Sequence, residues 1–313
     1  MLLSIRLPSI RRPSLRLLCL IGLLGCSAVQ AAVYSLGEGR LIGSPMHVEV
    51  PDNGGSLEEL AAQFQVGLYA MLAANPGVDP FLPRPGRTLT IPSQLLLPDV
   101  PRKGIVINLA ELRLYYFPEG EDKVYVYPIG IGRVGRETPE METRILSKQP
   151  DPVWIPPASI RAEHLAQGDP LPERVEAGPD NPLGKFAMRM AYGHGEYLIH
   201  GTNKNFGVGL RVSAGCIRLR APDIEALYNM VPVGTPVRVI NQPVLVSQEP
   251  DGRRWMEVHQ PLSRTQEEYD GDGAPLVLSS QVREFINFPY TDLDTVDQAL
   301  LERSGMPVVI GWN

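Results

Sequence analysis

Apolar residues between positions 46 and 92 repeat with two different periods. Met46 to Val50 and Arg87 to Ile91 have the composition of strands, while Leu57, Leu60, Ala61 and Phe64 recur at the spacing of one helix face. Ser56 precedes that face, and Glu59 three residues later completes a capping box. A second short helix is expected over Leu68 to Ala74, stopped by Asn75-Pro76-Gly77. The pattern predicts a small β-α-α-β unit.

From residue 102 to 241 the apolar runs shorten and Gly/Pro turns separate them. Ile105 to Leu109, Leu112 to Phe117 and Val124 to Ile129 are rich in β-branched and aromatic residues, so this region is expected to be mainly β. The proline-rich stretch from Gln149 to Leu183 exceeds an ordinary connection, and such excursions often shape a binding site or lid. One helix is expected after it, started by Pro222 and Asp223, with Ile224, Leu227 and Tyr228 on its apolar face. In residues 242–313, Val244 to Ser247 and Trp255 to His259 flank a turn at Pro250-Asp251-Gly252, and Asp292 to Arg303 reads as a helix ended by Gly305. No catalytic constellation stands out there. The fold class is therefore α+β, mainly β with α.

The 313 residues suffice for two domains, and an apolar fraction of 43% argues against wholesale disorder. The first 31 residues read as an export signal rather than as part of the fold. Arg6, Arg11, Arg12 and Arg16 precede an apolar run from Leu17 to Leu24, followed by small residues. Cleavage is expected after Ala31, giving a periplasmic protein. Leu23-Leu24-Gly25-Cys26 also resembles a lipoprotein processing box, which would leave Cys26 lipidated. No other segment is long and apolar enough to span a membrane. Of 29 basic residues, four lie in the signal; the other 25, against 35 acidic ones, leave a charge of −10. That charge, without a Lys/Arg tract, excludes nucleic acid as a natural partner.

Cleavage after Ala31 also removes Cys19 and Cys26, leaving Cys216 as the single thiol. A lone cysteine forms no internal disulfide and is commonly just a small buried apolar residue. Its surroundings argue otherwise. His200 ends the apolar run Tyr197-Leu198-Ile199 and stands sixteen positions before Cys216, room for a loop that brings the chain back. A thiol nucleophile needs a base within reach, and the base needs a partner for its far nitrogen. Gly215 lets the backbone turn sharply and aim N–H groups at a developing oxyanion. The chemistry calls for a reactive, partly exposed thiol. His47, His164 and His259 have no chemical neighbourhood and are expected at the surface, and His194 lies in a Gly-flanked turn. These scattered histidines form no zinc pattern, so neither metal nor cofactor is implied.

His200-Gly201 with Ser213-Ala214-Gly215-Cys216-Ile217-Arg218 resembles the signature of the L,D-transpeptidase catalytic domain (YkuD type), over about residues 103–240. Asn181-Pro182-Leu183-Gly184-Lys185 and Gly130-Ile131-Gly132 are similar to turns of that family, although Ala214 stands where many members have histidine. The resemblance implies a cysteine acyltransferase acting on peptidoglycan stem peptides. In it, Cys216 is nucleophile, His200 base, Gly201 the carbonyl that orients His200, and the N–H groups of Gly215 and Cys216 the oxyanion hole. Arg218 would bind a substrate carboxylate or serve a structural ion pair; Ser213 reads as a substrate-side or loop-fixing hydroxyl. Carbapenems are expected to acylate Cys216.

Residues 46–92, with Asn75-Pro76-Gly77 and Pro85-Gly86-Arg87-Thr88-Leu89-Thr90-Ile91-Pro92, resemble a LysM module, which implies binding to glycan strands; Gly55 departs from the usual acidic residue. The expected organisation is a signal peptide at 1–31, a LysM-like module and linker at 32–101, the catalytic domain at 102–241 and a C-terminal subdomain at 242–313. This order, with Asn203 and Asn205 as further substrate-binding residues and Arg218, is similar to the ErfK subgroup, which joins the C-terminal lysine of an outer-membrane lipoprotein to the wall. Direct cross-linking between diaminopimelates, hydrolysis by an L,D-carboxypeptidase and noncatalytic wall binding remain open from sequence.

Overall fold

The computed structural model describes residues 31–52 and 54–312. The expected signal, with Cys19 and Cys26, lies outside them apart from Ala31. The chain begins with β1 (Ala32–Ser35), β2 (Leu41–Ile42), β3 (Met46–Glu49), α1 (Leu57–Gln63), α2 (Leu68–Ala74), β4 (Thr88–Ile91) and β5 (Leu95–Leu96). β3 and β4 pair antiparallel, Met46 opposite Ile91, and the two helices pack on that ribbon. Glu59 N–H donates to Ser56 Oγ at 3.2 Å, and Ser56 N–H to the Glu59 carboxylate at 2.8 Å, so both orphan donors of the helix start are used. Leu57, Leu60, Leu68, Met71, Leu89 and Ile91 give this βααβ unit a core of its own. Buried Asn75 locks α2 to β4 through donors to Met71 O and Thr90 O at 2.9 and 2.8 Å.

The catalytic region supplies β6 (Gly104–Asn108), β7 (Arg113–Phe117), β8 (Lys123–Pro128), β9 (Ile131–Gly132), β10 (Met141–Pro150) and α3 (Ala158–Ala166). β11 (Phe186–Met190), β12 (Leu198–His200), β13 (Arg211–Ser213), β14 (Ile217–Arg218), α4 (Ala221–Met230) and β15 (Pro236–Ile240) follow. One nine-stranded sheet runs β1-β8-β7-β6-β15-β10-β11-β12-β14. Every residue of β6 and β7 is buried because the sheet is covered on both faces. Alternation sends Ile105, Ile107 and Leu114 to a core shared with Ile224 and Leu227 of α4. It sends Val106, Tyr115 and Phe117 to a second core with Ile42, Leu95 and Leu97. The segments flanking the βααβ unit are thus not a free linker. β1 extends the main sheet, Ala32 opposite Val126, and β2 pairs with β5 beneath it.

The last region comprises β16 (Val244–Gln248), β17 (Arg253–Val258), α5 (Gln266–Asp270), α6 (Ser280–Ile286), α7 (Leu293–Glu302) and β18 (Val308–Trp312). β17 is the middle strand of three. Met256 and Val258 face Val282 of α6 and Val296 of α7, whereas Trp255 faces Leu96 of β5. Asp292 caps α7, accepting Thr295 N–H at 3.2 Å, and Arg303 rather than Gly305 takes the left-handed position that ends it (φ 49°).

His259 is not at the surface as expected. Two residues beyond Glu257, it shares the docked face and is buried. Glu257, fully buried, accepts from Leu96 N–H at 2.5 Å, Arg113 Nη1 at 2.8 Å and His259 Nε2 at 2.7 Å. One carboxylate thereby clasps three regions of the chain. Burial pushes Glu257 up, but the hydrogen bond from His259 and the charge of Arg113 leave it below its ordinary value. Glu111, Glu257 and His259 each bring a ligand atom within 4.8 Å of the others, but Arg113 Nη1 reaches both carboxylates, at 3.3 and 2.8 Å. A guanidinium already supplies the positive charge there. No helix among the described residues is long and apolar enough to cross a membrane.

Candidate active site

β12 and β14 run parallel, Ile199 opposite Ile217 and His200 opposite Arg218. Cys216 immediately precedes β14, so the same register sets it beside Leu198. Alternation then turns Cys216, Arg218 and His200 to one face. All three, with Ser213 and Asn203, line a cleft of about 610 Å³. The proline-rich excursion builds its far wall with Trp154, Ile160 of α3 and Val175. Trp154 and Val175 exchange backbone hydrogen bonds at 2.9 and 2.8 Å, and buried Asn181 donates to Pro152 O at 2.8 Å. The excursion is therefore a tied-down wall.

His200 is 3% exposed, and its Nδ1 lies 2.6 Å from Gly201 O. A carbonyl only accepts, so Nδ1 carries the hydrogen and Nε2 keeps its lone pair. A Cβ on Gly201 would stand 3.0 Å from Ile224 Cγ2 and 3.3 Å from Leu183 O, so any side chain there would crowd its neighbours. Burial lowers His200 to about 4, helped by the Arg218 guanidinium and opposed by the Gly201 and Leu183 carbonyls. The resting imidazole is neutral.

Cys216 is half-buried, and its thiol donates to Glu196 O at 3.6 Å. Burial pushes the thiol above its ordinary value, although the Leu198 backbone and the Arg218 and Arg189 guanidinium groups pull it down. The side chain is reached from the cleft, and burial favours its neutral thiol over the thiolate. Gly215 holds φ +110°, with Tyr197 against it, and Thr138 Oγ1 donates to Gly215 O at 2.9 Å.

Of the two readings of Ser213 the structure takes the loop-fixing one, and the expectation for Gly215 N–H changes with it. Ser213 is 1% exposed; its hydroxyl donates to Cys216 O at 2.6 Å and accepts Gly215 N–H at 3.1 Å. It ties the nucleophile loop and has no hydrogen left for substrate. The same contact commits Gly215 N–H, so of the two N–H groups expected to face an oxyanion only that of Cys216 is free of this tie. Asn203 stands at the cleft, whereas Asn205 is exposed and outside its lining, its carbonyl accepting Val208 N–H at 3.2 Å. Arg218 Nε is buried without a partner among the described residues. His164 also reaches the cleft wall, 3.1 Å from the Asp169 carboxylate, while His47 and His194 are exposed. Thr138 went unrecognised in the sequence: 77 residues separate it from Gly215, and nothing local marks it.

Residues 102–239 match the model of the L,D-transpeptidase catalytic domain, and residues 243–310 that of the L,D-transpeptidase C-terminal domain. The chain is 53% identical to the probable L,D-transpeptidase ErfK/SrfK of Salmonella typhimurium, over 87% of this chain and 88% of that one. It is 52% identical to the Escherichia coli K12 protein of the same name, over 94% and 96%. It is 48% identical to the probable L,D-transpeptidase YbiS of Escherichia coli K12, over 90% and 93%.

Proposed function

Because the chain belongs to the L,D-transpeptidase family of cell-wall enzymes, we propose that Cys216 and His200 carry acyl transfer on peptidoglycan tetrapeptide stems, outside the cytoplasmic membrane. The observation that carries the assignment is the parallel pairing of β12 with β14, which turns both side chains into one cleft while Gly201 O takes the Nδ1 hydrogen. Both groups rest neutral, so moving the thiol proton to His200 Nε2 is uphill and proceeds together with attack on the carbonyl.

Sulfur attacks the carbonyl between the L-centre of diaminopimelate and D-Ala. Cys216 N–H supports the developing oxyanion. The C–N bond breaks as His200 returns the proton to the departing D-Ala amine, leaving a thioester. An acceptor amine then attacks, giving its proton to His200, and collapse restores the thiol. Arg218, with an unpartnered Nε at the cleft floor, binds a substrate carboxylate.

The acceptor is the C-terminal lysine of an outer-membrane lipoprotein, a reading supported by the resemblance to the ErfK subgroup. Residues 46–92 bind the glycan strand. The test incubates the protein with a soluble tetrapeptide stem and a lysine-terminated peptide, followed by mass spectrometry. Wild type should carry an acyl adduct on Cys216 lacking D-Ala and pass it to the lysine peptide, and Cys216→Ser should do neither. D-Ala release by Cys216→Ser would overturn the nucleophile, and stem-to-stem products without lysine product would overturn the acceptor.

A further inference from the structure

The transfer chemistry leaves residues 46–92 without a part, yet their contacts end on the chain at both sides of the nucleophile. The α1–α2 turn presses on Gly209, in the loop between His200 and Cys216. A Cβ on Gly67 would stand 3.0 Å from Gly209 Cα, and a Cβ on Gly209 (φ +83°) would overlap Gly67 and Leu68 backbone. Tyr69 N–H donates to Gly209 O at 3.3 Å. The next residue, Leu210, packs into the core of the βααβ unit itself. The loop is also held from below, Gly209 N–H donating to Ile129 O at 3.0 Å and Ile131 N–H to Leu210 O at 3.1 Å. Val212 and Ser213, just beyond, line the cleft. On the other side of Cys216, buried Arg220 donates from Nη2 to Val66 O at 2.8 Å. Its Nη1 has no partner among the described residues.

We propose that the α1–α2 turn, Val66 to Leu68, is a positioning element for Cys216, so that glycan engagement of the βααβ unit alters the rate of acyl transfer. Backbone rests on backbone at Gly67 and Gly209, with no flexible side chain between them to absorb a displacement. Arg220 fixes the far end of the nucleophile strand to the same turn. The glycan trigger rests on the glycan-binding reading above; the positioning role does not. It also bears on truncation. A chain beginning near Arg102 would lose this support together with β1 of the main sheet.

Gly67 has φ −80° and ψ 150°, which alanine adopts without strain, so Gly67→Ala perturbs mainly the Gly209 contact. In the full chain, this variant should slow single-turnover acylation by a soluble stem by roughly three- to thirtyfold. KM should stay within about twofold, the rate of Cys216 alkylation by iodoacetamide should change, and the unfolding midpoint should hold. Arg220→Met should act similarly, with part of the loss recovered in Arg220→Lys. Gln63→Ala, exposed on α1, should behave as wild type. Folded Gly67→Ala and Arg220→Met proteins with wild-type acylation and alkylation would overturn the positioning role, and Arg220→Met decides alone if Gly67→Ala does not fold. A stem-free β-1,4-linked N-acetylglucosamine tetramer, with binding followed by calorimetry, tests the trigger. Binding with a changed acylation rate supports it, and binding with an unchanged rate overturns it while sparing the glycan reading. No binding overturns that reading and the trigger together, leaving the positioning role to the variants.

Discussion

Acidification from pH 8 to 5.5 should leave Cys216 acylation almost unchanged, because the fold keeps His200 neutral. The base must start without a proton, and burial beside Arg218 lowers His200 to about 4. At pH 5.5 a histidine with the ordinary value near 6.5 is about 10% neutral, whereas one at about 4 is about 97% neutral. The first case predicts roughly a tenfold fall in single-turnover acylation, the second a loss of a few per cent. Stability carries the same signature. The unfolded chain protonates this residue below about 6.5 and the folded one only below about 4, so stability is fully present above 6.5 and falls as the pH drops between them. The gap corresponds to about 2 kcal/mol lost by pH 5, approaching about 3 kcal/mol below pH 4. Rapid-quench mass spectrometry of Cys216 gives the acylation rate. Urea unfolding of wild type and His200→Asn at pH 8 and pH 5 isolates the residue by difference. An acid limb centred near 6.5, or an equal loss of stability in both proteins, would refute the reasoning.

Asp223 on α4 should show the opposite sign. It is fully buried with neither carboxylate oxygen partnered among the described residues, and burial raises it to about 7 against the pull of Arg220. The unfolded chain ionises this group above about 3.8 and the folded one only above about 7, so stability falls as the pH rises between those values and levels off beyond 7. Asp223→Asn should stabilise the protein by roughly 2–4 kcal/mol at pH 8 and by almost nothing near pH 4, measured by denaturant midpoints; a gain independent of pH would contradict this. Glu257→Gln removes the nearer of the two carboxylates beside buried Arg113 and should cost about 3 kcal/mol in thermal unfolding, with faster amide exchange at Leu96. A change below about 1 kcal/mol would mean that Glu257 does not clasp the regions together.

What sequence conveys well here is local. The capping box at Ser56 and Glu59, the helix opening at Pro222 and Asp223, and the hairpin turning at Gly252 all depend on residues within a few positions of one another. Cys216 and His200 could be paired because thiol chemistry demands a base and both stand next to glycine. The corrections concern directions that only the closed fold decides. Whether Ser213 faces substrate or its own loop depends on how that loop returns, and the answer also determines that Gly215 N–H is spent. His259 is buried because the odd-numbered face of β17 meets the main sheet, a choice made by Leu96 and Arg113 far away in the chain. The pairing of β1 with β8 likewise joins segments with no common local signal.

The place of β15 bears on how the chain reaches this state. It lies mid-sheet, parallel to β6 with Val237 opposite Ile105 and antiparallel to β10 with Val239 opposite Met141. Before residue 240 has been synthesised, β1-β8-β7-β6 and β10-β11-β12-β14 are two half-sheets, each ending in an unpaired edge. Closure across so long a separation is slow, and the waiting edges invite wrong partners. A chain that ends between Arg218 and Pro236 therefore contains β14, the strand that follows Cys216, but lacks the strand that joins the two half-sheets.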